Sequence, residues 1–223
     1  LCLLYVTSPT IAQYTNFNQL SKSINSEKSQ TNFVQINDTL AYFTEFGLID
    51  QNYQAQVFSA LKVNGFWKRE KKIDFGDFFS TTNISIDEKN NDIYFTACDE
   101  SSVCKIAIKR NNTVNILENK FINTKNNNTQ PHVCVYSNKK ILYFVSDRPE
   151  GYGKNDIWFS MIDAVGNFGK PINAGPKINS KHNEVTPFYN KHEGVLYFSS
   201  DRNTSIGGFD IFRATGHTNL WRA

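Results

Sequence analysis

The chain has 223 residues, 24 of them basic and 21 acidic, for a formal charge of +3, and these charges are spread along it without a basic block. That balance excludes a nucleic-acid surface or an anionic-membrane patch as its organising feature. Aromatics reach 14%, with 18 Phe and 10 Tyr against a single Met, a mix that suits pleated, half-buried surfaces and sets an all-β expectation.

The first segment, LCLLYVTSPTIAQ, is an apolar run ending in small residues. Residues 1–12 read as the remnant of a secretory signal whose charged start is missing. Cys2 would suit a lipoprotein anchor, but apolar residues continue past it, so lipidation is discounted. There is no run of about 20 apolar residues to span a bilayer. Residues 13–30 are polar and without strong period, and read as a linker.

Beyond residue 30 an aromatic doublet recurs at Tyr42-Phe43, Tyr94-Phe95, Tyr143-Phe144 and Tyr197-Phe198, at intervals of about 50 residues. Each doublet follows an extended segment (TNFVQIN, TNISID, PHVCVYSN, VTPFYN) and a polar turn. A loop and a third strand come next: QVFSALKV, VCKIAIKR, DIWFSMID and DIFRAT. A last strand reads as GFWKREKKI, TVNILEN or FGKPINAG, and in the final unit it is only begun at Leu220 and Trp221. Four antiparallel strands at this period make the blade of a β-propeller. The expected fold is therefore all-β, a propeller with four recognisable four-stranded blades at about 31–74, 75–126, 127–180 and 181–223. The last is incomplete, and the whole is expected to be a piece of a larger propeller.

Cys98 and Cys104 flank DESSV between two strands of the second unit, where a short hairpin can bring them together, and their pairing stays open. Cys134 sits in an alternating run and reads as a small buried hydrophobe. With no CxxC and no Cys/His cluster, neither a metal nor another cofactor is expected.

LYFVSDRPEGYGKNDIWF (Leu142–Phe159) and LYFSSDRNTSIGGFDIFR (Leu196–Arg213) align without a gap. Asp147, Arg148 and Asp156, with their counterparts Asp201, Arg202 and Asp210, are expected to be structural. Glycines supply the positive φ of the loop and Asp carboxylates accept loop N–H groups, while Arg148 and Arg202 are expected to fork across Asp156 and Asp210. The spacing of these carboxylates, with arginine between them, argues against calcium.

No GxSxG, HExxH, P-loop or helix-opening GxGxxG is present, so the chain is not expected to be an enzyme in itself. SIDEKNNDIYF, from Ser85, has the Ser and Asp spacing of a sialidase Asp-box but lacks its glycine and reads as a turn. His132 and His182 stand at corresponding places near the first strands of the third and fourth units. In a propeller these connections rise to the face around the central channel, which makes Gln130, His132, His182, Asn183 and Glu184 the candidate partner-binding residues.

The two SDR phrases, with TQPHVCVYSNKKILYFVSDR and HNEVTPFYNKHEGVLYFSSDR around them, resemble the TolB-type, WD40-like β-propeller repeat found in exported envelope proteins of Bacteroidota. The resemblance covers about residues 128–223. In the first two units TEFGLID and TACDESS stand where SDR should be. What the resemblance implies is a non-enzymatic binding or scaffold module of the cell envelope, periplasmic or outer-membrane associated, engaging an envelope protein or a peptidoglycan-associated partner. The second reading is the propeller of an exported hydrolase, such as a glycan-degrading enzyme, whose catalytic domain lies elsewhere.

Overall fold

The computed structural model describes residues 4–5, 18–49, 51–218 and 220–222. The secretory-signal reading rests on residues 1–12, which lie outside the described residues apart from Leu4 and Tyr5. These two form β1 (Leu4–Tyr5), antiparallel to β2 (Asn18–Gln19). By its internal contacts the chain divides into two units, residues 1–84 and 85–223.

Four antiparallel sheets follow. The first holds β3 (Ser29–Gln35), β4 (Leu40–Ile49), β5 (Asn52–Val63) and β6 (Phe66–Lys72). The second holds β7 (Ser80–Ile86), which runs through the division between units, then β8 (Ile93–Cys98), β9 (Cys104–Arg110) and β10 (Thr113–Ile116). The third holds β11 (Asn128–Tyr136), β12 (Lys139–Ser146), β13 (Asp156–Ile162) and β14 (Ile172–Asn173). The fourth holds β15 (Glu184–Asn190), β16 (Val195–Ser200) and β17 (Asp210–Thr215), with a single antiparallel bridge from Thr215 to Arg222 where another strand begins. The architecture is all-β, each sheet a meander in chain order, which is the propeller-like arrangement that the repeat predicts.

The aromatic doublet has a direct physical cause. Successive residues of a strand point to opposite faces, and β12 is buried on both. Tyr143 joins Phe159, Tyr189, Leu196 and Trp221 in one cluster, while Phe144 joins Tyr94, Ile106, Val133 and Trp158 in another. Each ring feeds a different layer, and burying it contributes about 1.5–3 kcal/mol. In the first unit Phe43, Phe58 and Trp67 pack with Leu20 and Ile24, so the end of the segment read as linker lies within that core.

The first strands of the first, third and fourth sheets carry a bulge with a left-handed residue, Asn32 (φ 52°), Gln130 (φ 52°) and Thr186 (φ 53°), and β7 has a left-handed residue at the equivalent Asn83 (φ 50°). The bulge frees main-chain N–H groups from their own sheet, and neighbouring strands supply their acceptors. In the first unit Ile84 N–H donates to Asn32 Oδ1 at 2.7 Å. In the second, Gln130 N–H donates to Thr96 Oγ1 at 2.8 Å, and Thr186 N–H to Gln130 Oε1 at 2.5 Å. Two residues past the bulge a further link recurs, with Val133 N–H donating to Ser85 Oγ at 2.9 Å and His132 Nε2 lying 3.3 Å from Tyr189 O. On the fourth sheet the corresponding residues Thr186 and Phe188 are exposed.

The turns ahead of three first strands are also alike: SINS, FINT and KINS, at residues 23–26, 121–124 and 177–180. Ile24, Ile122 and Ile178 are each fully buried. Asn123 grips both the N–H and the C=O of Ile106, at 2.9 and 2.8 Å, and Asn179 does the same to Ile157 at 2.8 and 2.9 Å. One amide thus pairs with the third strand of each sheet as a short piece of strand would. Cys98 and Cys104 face one another across β8 and β9 and form a disulfide.

The SDR phrase is structural by a route that differs from the expected one. Asp147 accepts from Asn127 N–H at 2.8 Å and from its Nδ2 at 3.2 Å, and Asp201 accepts from Asn183 N–H at 2.8 Å and Nδ2 at 2.9 Å. Asp156 accepts from Tyr152 N–H and from Asn173 Nδ2, and Asp210 from Ile206 N–H at 2.7 Å, so these two carboxylates hold the glycine loops. Arg148 and Arg202 do not fork across them. Arg148 donates inward to Phe121 O, Ile122 O, Ser146 Oγ and Asn128 Oδ1, and Arg202 to Ile178 O, Ser200 Oγ and Glu184 Oε1. The preceding turn offers each guanidinium bare carbonyls inside the protein, which local spacing does not reveal.

Candidate functional site

The five residues chosen from the sequence serve the framework. Gln130 is the left-handed bulge residue that bonds to Thr186. Asn183 is held by both oxygens of Asp201 and by Asn155 Nδ2 at 2.9 Å. Glu184 is fully buried, accepting from Ser180 N–H, Ser180 Oγ and Ser200 Oγ at 2.7 Å each and from Arg202 at 3.2 Å. His182 donates its N–H to Ser180 Oγ at 3.1 Å, and its carbonyl accepts from Lys154 at 3.0 Å, but its Nε2 is buried with no hydrogen-bond partner among the described residues. Gly153 packs so closely on this turn that a Cβ there would lie 2.2 Å from Ser180 O.

His132 does not join His182. Its ring lies 5.0 Å from that of Phe188, in a pocket of about 180 Å³ that Cys134, Asn190 and Lys191 also line. Burial pushes its pKa down to about 4, against smaller upward effects from the Tyr189 carbonyl and Glu88. The unfolded chain, with an ordinary histidine near 6.5, then binds the extra proton first. Stability attributable to His132 is complete above about pH 6.5 and is lost as the pH falls through about 4. Urea midpoints measured across this window should fall more steeply for the native chain than for His132→Gln, and parallel curves would remove the histidine from the account.

A larger cleft, of about 950 Å³, opens where the turns of the second and third sheets meet. Four segments build it: the β7–β8 turn with Asp87, Lys89 and Asn90; the end of β9 with Arg110; the β11–β12 turn with Asn138 and Lys140; and the β13–β14 turn from Asp163 to Asn167. Its floor is buried and polar. Asp87 is paired with Lys140, and Asp92 accepts from Arg110 Nε at 3.1 Å. Burial and the nearby Asp92 push the Tyr94 hydroxyl up to about 12, so it stays a neutral donor. Hydrogen bonds from Asn167 and Val165 hold the Asp163 carboxyl below its ordinary range. From the sequence, Asp87 falls in the Asp-box-like stretch that reads as a turn and Tyr94 in an aromatic doublet, while the other residues sit in stretches of ordinary turn chemistry.

Glycoside hydrolysis needs two carboxyl groups facing a shared opening. Among the described residues four buried carboxylates already hold a cation, Glu45 with Arg69 and Lys28, Asp87 with Lys140, Asp92 with Arg110 and Glu184 with Arg202, and of these Asp87 and Asp92 line the cleft. Asp156 is shut inside its loop, and burial raises its pKa. Among the described residues no three His, Cys, Asp or Glu are placed to hold a metal ion.

No family model matches the sequence, and no curated protein matches it. The fold, by contrast, has clear likenesses among solved structures. A thermostable family-43 glycoside hydrolase superposes with a TM-score of 0.59 at 14% identity, over 91% of this chain and 74% of its own. The endo-arabinase of Bacteroides thetaiotaomicron gives 0.56 at 16% identity, over 86% and 76%. The family-43 endo-arabinanase of Bacillus licheniformis gives 0.55 at 12%, over 96% and 83%. These are five-bladed propellers of glycoside hydrolases. They correct the resemblance to TolB-type, WD40-like repeats: in this structure SDR and the aromatic doublet serve blade packing and loop closure.

Proposed function

We propose that this chain is the propeller of an exported glycan-active protein and that it engages a saccharide, with bond cleavage left to groups outside the described residues. The observation that carries the reading is the likeness of its fold to glycoside hydrolase propellers. That warrant is one of fold analogy, and it favours the hydrolase reading of the sequence over the envelope scaffold. Two features of the molecule support the assignment. Four of its buried carboxylates, Glu45, Asp87, Asp92 and Glu184, are tied up in ion pairs, which suits recognition better than acid–base work, and the Cys98–Cys104 disulfide suits an oxidising compartment.

Affinity electrophoresis through gels containing arabinan, joined to a reducing-sugar assay, tests both halves. The chain should be retarded by the polysaccharide and release no reducing ends. Free migration through arabinan and other plant and microbial glycans would end the saccharide reading, and steady sugar release would return catalysis to the described residues.

A further inference from the structure

Resting on that reading, we propose that the cleft between the second and third sheets is the saccharide subsite and that it takes a neutral oligosaccharide rather than an acidic one. Size is the first argument. At about 950 Å³ the cleft stands at the upper end of the roughly 300–1,000 Å³ that ligand sites occupy, room for several sugar rings in a row.

Charge supplies the second. Lys89, Arg110 and Lys140 stand against Asp87, Asp92 and Asp163, so the basic and acidic side chains balance. No surplus cation is left to select a uronate or a sulfated sugar. The paired groups nonetheless keep hydrogen-bonding capacity, because a guanidinium has five N–H donors and an ammonium three. Arg110 gives its Nε to Asp92 and Lys140 one contact to Asp87. A vicinal diol matches such an array, accepting from the cation and donating to the carboxylate beside it. Asn90 and Asn138 add exposed amides at the mouth, and Val165, 83% exposed, offers the rim an apolar contact for the C–H face of a ring.

The test uses the 223-residue chain with arabinan as the neutral probe and polygalacturonate as the acidic one. Two sets of substitutions are needed. Arg110→Gln removes the central donor. The pair Lys89→Ala and Asn138→Gly alters exposed residues only, and glycine suits the left-handed backbone of Asn138 (φ 61°). Each set should weaken arabinan binding by roughly tenfold with an unchanged melting temperature for the double variant, and binding by the native chain should persist at high salt. Arabinan binding that neither set alters would overturn the subsite while leaving the saccharide reading in place. Tighter, salt-sensitive binding of polygalacturonate would overturn the neutral class, and a native chain that binds no glycan would sink both.

Discussion

Arg148→Ala is expected to lower the stability of the protein by about 3–4 kcal/mol, far more than an arginine usually contributes. Arg148 is 8% exposed, and its guanidinium donates to four acceptors at 2.8 to 3.0 Å: two main-chain carbonyls, an amide oxygen and a hydroxyl. It also lies 5.2 Å from the Phe144 ring and 4.8 Å from that of Trp158. Truncation leaves the carbonyls of Phe121 and Ile122 without this donor inside the protein and opens a cavity against two aromatic rings. Lysine keeps the charge but not the planar fork, so Arg148→Lys should recover less than half of the loss. Urea unfolding followed by tryptophan fluorescence reads the change, with Trp158 as a reporter beside the lost group. A midpoint within error of the native chain would mean that the turn can refill the space.

Glu184→Ala is expected to cost about 2–4 kcal/mol, because it removes a fully buried carboxylate with four hydrogen bonds and strips the half-buried Arg202 of its counter-charge. Arg202 would keep only Ile178 O and Ser200 Oγ, and the Ser180 N–H would lose its acceptor. Glu184→Gln should be milder, since one oxygen remains to accept. If Glu184 instead contacted a partner, as its position near the first strand invites, both substitutions would weaken binding at unchanged stability. The two roles therefore separate in one experiment: denaturant midpoints fall and arabinan retardation by the folded fraction stays constant, or the reverse.

The sequence made the blades legible because their cause is local and periodic. An aromatic doublet buried on two faces must recur wherever a strand lies between two layers, and Tyr143-Phe144 shows why both positions are large. The turn chemistry of Asp156 and Asp210 was legible for the same reason. Arg148 was not, since its acceptors lie 26 and 27 residues back along the chain and carry no side-chain signature. The Ile-Asn turns were present in plain letters as SINS, FINT and KINS. Two of these fall just past the segments read as last strands, and the other falls in the supposed linker. The cleft was invisible because three ordinary turns and a strand end build it, and only pairing across sheets brings Lys140 onto Asp87.

Four links made by the first two strands of the sheets share one direction along the chain. Ser85 receives Val133, Thr96 receives Gln130, Gln130 receives Thr186 and His132 meets Tyr189. In each case a side chain of the earlier sheet satisfies or meets the backbone of the later one. On a ribosome, then, a sheet emerges with these side chains already in place and waits for the backbone groups that are still being synthesised. Assembly should advance as a front from the amino to the carboxyl end, each sheet templating its successor much as a growing crystal layer orders the next. On the fourth sheet the equivalent residues, Thr186 and Phe188, face solvent.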